Sequence, residues 1–170
     1  MFTDEEVDYL ESQHLARLGT VDSDGQVDVS PVGFEFDGEA FYVSSFKMDM
    51  SHKGVNVADG NRLVSLVVDD LASTDPWLPR GIKIHGVADF VERDTPTSMA
   101  RGDRHIRIRP VRSWSFGILA AAFQHGKWTP TKRTWPTTGL IKPHEAARPD
   151  QCASRTSAGA SHRRSESSRR

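Results

Sequence analysis

Between residues 15 and 45, alternating side chains interrupted by Asp-Gly turns restrict this chain more than any other feature. Residues 15–21 read as one strand, and Asp22-Ser23-Asp24-Gly25 follows it. Asp-Gly supplies the positive φ of a tight hairpin, so the chain must double back. A second strand runs over 27–36, and Asp37-Gly38 turns it into a third over 40–45. The second strand is irregular. Val27 and Val29 share one phase, whereas Val32, Phe34 and Phe36 share the other, with the switch at Ser30-Pro31. Proline removes a ladder donor, which predicts a bulge or a locally unpaired edge there.

The flanking segments extend the pattern. Thr3 and Glu6 have capping-box spacing, and Phe2 and Val7 are placed as a hydrophobic staple, which predicts a short first helix burying Val7 and Leu10. Ser51 is the expected N-cap of a second helix that Gly60 stops. A strand over 62–70 carries Leu63-Val64-Ser65-Leu66-Val67-Val68, a run expected to be buried on both faces. Residues 72–80, with Pro76, Trp77 and Pro79, predict a rigid loop. Residues 81–91 alternate cleanly, with Ile82, Ile84, Gly86, Ala88 and Phe90 opposite Lys83, His85 and Asp89. A polar loop leads to a last strand from Ile106 through Trp114 to Ile118. Six strands with tight hairpins and short helices favour a closed antiparallel barrel over a parallel sheet.

The expected organisation is one barrel domain over 1–118, an arm or disordered stretch over 119–141, and a disordered basic tail over 142–170. The tail holds seven Lys or Arg against three Asp or Glu and no large apolar residue, too little to offset the entropy of ordering it. Its charges are too dispersed for a nucleic-acid patch, so no nucleic-acid partner is expected. No apolar run is long enough for a membrane span, and the acidic start is unlike a secretory leader. A cytoplasmic protein follows, with the single Cys152 as a free surface thiol.

Chemistry is sparse. No Gly-x-Ser-x-Gly, His-Glu-x-x-His or phosphate-loop pattern occurs, and the seven histidines lack metal-ligand spacing. No catalytic side chain or metal site is therefore assigned, and a bound cofactor is left to supply the hard chemistry. His85 reads as a solvated surface residue. The best local signal lies around Lys47, Ser51 and Lys53, where a helix start and two ammonium groups favour an anion. The same residues also describe a capped helix with two exposed lysines.

Over residues 1–118 the chain resembles the pyridoxamine-phosphate-oxidase-like class of F420-dependent enzymes, flavin split-barrel proteins. The carriers are Phe2-Thr3-Asp4-Glu5-Glu6-Val7, Leu18-Gly19-Thr20-Val21, Pro31-Val32-Gly33-Phe34, and Lys53 and Asn56 ahead of Asn61-Arg62. Asp75-Pro76-Trp77-Leu78-Pro79-Arg80-Gly81 and Ile106-Arg107-Ile108-Arg109-Pro110 complete the series. The resemblance implies a mainly β, six-stranded antiparallel split barrel that forms a homodimer. It further implies an oxidoreductase that binds the deazaflavin coenzyme F420 between subunits and transfers a hydride to or from a small organic substrate. Pro31, Val32 and Gly33 would run beside the ring, and Lys53 would hold the phosphate with Ser51, Lys47 and Asn56 nearby. Arg80 would add a second charge, or else serve as an ordinary surface arginine. His52 stands where relatives usually carry a further basic residue, and Gly54 where they carry a bulkier one. The alternatives are FMN as cofactor in an oxidase or reductase of the same fold, or a non-catalytic cofactor or tetrapyrrole binder.

Overall fold

The structure, a computed structural model, describes residues 1–93, 104–137 and 139, all within one compact unit, Met1–Leu140. Helix α1 (Asp4–Ser12) begins as its cap predicts. Thr3 accepts from the Glu6 amide, and the Glu6 carboxylate accepts from the Thr3 amide at 2.8 Å. Strands β1 (Ala16–Val21), β2 (Val27–Val32), β3 (Phe34–Phe36) and β4 (Phe41–Val43) follow, joined through positive-φ turns at Gly25 and Gly38. A 3-10 turn (Met48–Met50) leads into α2 (His52–Ala58). The long strands β5 (Leu63–Thr74), β6 (Trp77–Glu92) and β7 (Arg104–Phe116) complete the wall.

All pairings are antiparallel, in the order β2-β1-β5-β6-β7-β4-β3. The two edge strands, β2 and β3, are consecutive in sequence and part only at Gly33, so the sheet curls until its edges meet. This is the expected split barrel. Seven strands lie along the path rather than six, because Gly33 divides one strand into β2 and β3.

Three details differ from the sequence reading. No bulge sits at Ser30-Pro31, since β1 and β2 pair without a shift from Val21↔Val27 to Ala16↔Val32; the proline instead lies on an edge strand, the other alternative. The apparent change of phase has another cause. Val27 and Val29 are on the outer face with Pro31, at 57% and 61% exposure, while Val32 turns inward. Residues 72–80 are not a loop, since β5 and β6 extend as a hairpin with only Asp75 and Pro76 between them. Strand β5 is buried on one face only: Val64, Leu66 and Val68 point inward, whereas Leu63 is 48% exposed.

The core lies inside the curl. Leu18, Leu66, Ile82, Ile84, Ile106, Ile108, Phe41 and Val43 lose virtually all contact with water. Each such aliphatic contributes roughly 1.5–3 kcal/mol, which fixes the register because a one-residue slip would turn the whole set outward. Phe2, Phe36 and Phe41 close one end in edge-on and tilted contacts, and Trp135 packs on Phe2 at 5.1 Å.

The sheet continues past Ile118, where the domain was expected to end. Strands β8 (Phe123–Gln124) and β9 (Lys127–Trp128) form a small hairpin, and β10 (Thr131–Thr134) pairs with β7. Arg133 on β10 reaches the fully buried Glu6 carboxylate at 3.0 Å, and the Ser115 hydroxyl also donates to it. The tail 142–170, with Cys152, lies outside the described residues.

Candidate functional site

Helix α2 covers β1 and β2 near their hairpin. Thr20 and Asp28 are cross-strand partners and both meet the helix. The Asn56 amide donates to the Thr20 hydroxyl at 2.9 Å inside the core, which anchors the helix. Asn56 is therefore engaged in packing. The Ser51 hydroxyl is also committed: it donates to the Met48 carbonyl at 2.8 Å and accepts from the Gly54 amide at 3.2 Å. Gly54 has a steric reason for being glycine. A Cβ there would stand 1.9 Å from the Met48 carbonyl oxygen, so no side chain fits while the 3-10 turn presses on the helix.

Lys53 differs from these neighbours. It is half-buried, and its ammonium makes no hydrogen bond or ion pair among the described residues. Burial strips water from the charge and lowers its pKa, an effect that nearby Asp28 partly offsets. Asp28 also faces His52, whose Nδ1 lies 3.9 Å from the carboxylate. An arriving anion would restore solvation that Lys53 has lost. Lys47 is exposed beside the turn and contributes only its carbonyl, which accepts from the amides of Met50 and Ser51.

Arg80 is elsewhere and already spent. Its guanidinium grips Asp70 with two bonds of 2.7 and 2.8 Å and lies 5.2 Å from the centre of the Tyr9 ring. Tyr9 completes the group by donating to Asp70 at 3.1 Å. The Arg80 hydrogen bonds hold the Asp70 carboxyl below the usual carboxylate range, while burial and the Asp70 charge push the Tyr9 phenol well above its ordinary value. Gly19 pairs with Ser65, and Arg80 with Asp70 five residues further along β5, a rise of about 17 Å. Lys53 and Arg80 are thus not brought together.

Of Pro31, Val32 and Gly33, the first is exposed on the outer face, the second is core, and the third opens onto a groove of about 340 Å³. That groove runs between the end of α1 and strands β3 and β4, and it is lined in part by His14, Phe34, Glu35, Tyr42 and Ser44. Its polar wall is organised. Tyr42 donates to Asp37 at 2.7 Å, and Arg93 bonds Glu35 at 3.2 Å while its guanidinium sits 3.8 Å from the Tyr42 ring centre. Burial, then the Asp37 hydrogen bond, raises the Tyr42 pKa. Beyond Gly33 and Phe34, the groove residues did not stand out in the sequence. The available signal was phase: Tyr42 sits between buried Phe41 and Val43 and must face the other way.

From Asp28 to Gly33 the edge strand covers about 17 Å, ending in an unpaired cation at one end and an open groove at the other. The model of the pyridoxamine 5'-phosphate oxidase family matches residues 2–123. The chain belongs to this family. It is 38% identical over 122 residues to the 5a,11a-dehydrotetracycline/5a,11a-dehydrooxytetracycline reductase of Streptomyces rimosus, a match that spans 69% of this chain and 84% of the relative. Two solved structures share the oxidase-like fold. One is a heme binding protein from Mycobacterium smegmatis (TM-score 0.57, 19% identity, 79% of this chain and 59% of the other). The other is an F420 reductase (TM-score 0.52, 22% identity, 66% and 98%). No helix among the described residues is long and apolar enough to cross a membrane.

Proposed function

We propose that this protein is a cytoplasmic oxidoreductase that binds coenzyme F420 and reduces a small unsaturated organic substrate. The observation that carries the reading is Lys53, a half-buried ammonium without a partner at the start of α2. Its position suits the phosphate of an elongated cofactor whose ring lies along Val32 and Gly33. Bound there, the deazaflavin would supply the hydride. The chain's own part is to orient and to exclude water: Gly33 leaves room for a planar ring, and the Phe34–Tyr42 wall shapes the remaining groove for a substrate. Lys53 is the fixed charge, with exposed Lys47 and His52 able to add to it. The 38% identical reductase supports the redox class. Exposed Val27 and Val29 on β2, with Leu63 on β5, support a homodimer, because a second copy would cover them.

Titration of the full chain with F420, followed by quenching of tryptophan emission, tests the proposal. Saturation in the micromolar range that Lys53→Ala weakens about tenfold is expected. A preparation that arrives yellow with FMN, or that takes up heme and ignores F420, overturns it in favour of a flavin enzyme or a tetrapyrrole carrier.

A further inference from the structure

Most of the described arginines have a carboxylate. Among the described residues, Arg17, Arg80, Arg93, Arg104, Arg107, Arg109 and Arg133 are all ion-paired. Arg62 bonds the Ala88 carbonyl instead. Arg112 has no such partner. It lies on the outer face of the sheet, directly opposite His85 on β6 and Thr134 on β10. One rung along, Trp114 lies between Lys83 and Lys132 in the same way. Facing cross-strand side chains have Cβ atoms about 5 Å apart, so four basic groups from three strands share one patch.

The patch is built around the indole. The Lys83 ammonium stands 4.3 Å from the Trp114 ring centre, and the His85 ring meets Trp114 edge-on at 4.7 Å. These contacts limit the freedom of both basic side chains, so less entropy is lost when a ligand arrives. No carboxylate compensates them. Across β5 the rungs continue into Ser65 and Val67, which are neutral. The nearest acids on this face are occupied: Asp69 by Arg17, and Asp89 by both Arg107 and Arg109. Burial, then the charges of Lys83 and Arg112, lowers the His85 pKa, as expected beside unneutralised cations.

We propose that the outer sheet face at Lys83, His85, Arg112 and Lys132 is a binding site for a phosphate monoester, separate from the α2 end. Basic groups from three strands on one face suit a tetrahedral dianion with three terminal oxygens better than a planar carboxylate. The Arg112 fork can take two of those oxygens, and the Thr134 hydroxyl stands beside it.

The test follows the His85 imidazole by NMR in the full chain at constant ionic strength. Inorganic phosphate and acetate are added in separate arms. Phosphate should saturate the response and move the His85 titration upward by about one pH unit, with acetate much weaker. Arg112→Gln should weaken the phosphate response about tenfold, and Lys132→Gln by a smaller factor, with the remaining spectrum unchanged. Both residues are exposed, so the variants keep their fold. A non-saturating response, an equal shift with acetate, or an undiminished response in Arg112→Gln would each show simple counter-ion screening and overturn the site.

Discussion

Arg80, at the α1 end of the barrel, and Lys53, at the α2 end, both lie where a sequence reader would place an anion site, and they differ in what surrounds them. Arg80 is held by Asp70 through two short hydrogen bonds and backed by Tyr9, so its charge is balanced within the fold. Lys53 is half-buried without a bond of its own and faces Asp28, which His52 shares. Basic residues in a conspicuous motif are thus poor guides to binding until their partners are known. What matters is the residual charge after neighbouring carboxylates have been assigned. The Asp70–Arg80 pair is balanced within the fold, whereas Lys53 retains an unmet demand.

The largest effect that can probe this contrast is at Glu6. Arg133→Ala leaves a fully buried carboxylate without its cation, and removing one partner of a buried pair costs about 3–5 kcal/mol. Urea unfolding should show that loss, while the folded fraction binds F420 as before. Next comes Lys53→Ala. Stability should stay within about 0.5 kcal/mol of the parent, and F420 affinity should fall about tenfold, near 1.4 kcal/mol, by fluorescence titration. Arg80→Ala should do the opposite, lowering stability by about 1 kcal/mol because the pair is partly exposed, with affinity unaltered. A weakened F420 titration in Arg80→Ala would erase the distinction between the two ends.

The smallest effect is one of pH. The Asp70 pKa is depressed in the folded state, so its stabilisation is complete above the ordinary carboxylate value near about 4. It is lost as the pH falls through the lower folded value, when the native carboxylate finally takes up its proton. Urea midpoints measured from pH 6 to pH 3 should therefore drop less steeply in Asp70→Asn than in the parent.

The split barrel was legible because its signals are local: Asp-Gly turns, the Thr3–Glu6 cap and strict alternation from Ile82 to Ile84 each act over a few residues. Where two surfaces compete, sequence reading faltered. The phase switch after Val29 suggested a bulge, yet Val27 and Val29 are the exposed side of a regular strand. Pro76 and Pro79 suggested a loop, but β5 and β6 simply turn at Asp75-Pro76 and use the prolines at the hairpin's end. The site was legible in part. Lys53 emerged from helix-start chemistry, whereas the commitments of Ser51, Asn56 and Arg80 depend on Met48, Thr20 and Asp70, which only the fold brings near. His14 and Tyr42 carried no motif, because a groove is defined by the elements around it.

The carboxylate of Glu6 also has a consequence for the order of assembly. Helix α1 leaves the ribosome first, but the hydroxyl that binds its buried acid comes 109 residues later, and the arginine later still. A domain generally folds as a unit once its chain has emerged. Here the opening helix cannot be sealed until Arg133 has emerged. A chain stopped at the end of the family match, residue 123, would retain every barrel strand and still hold an unneutralised acid in its interior.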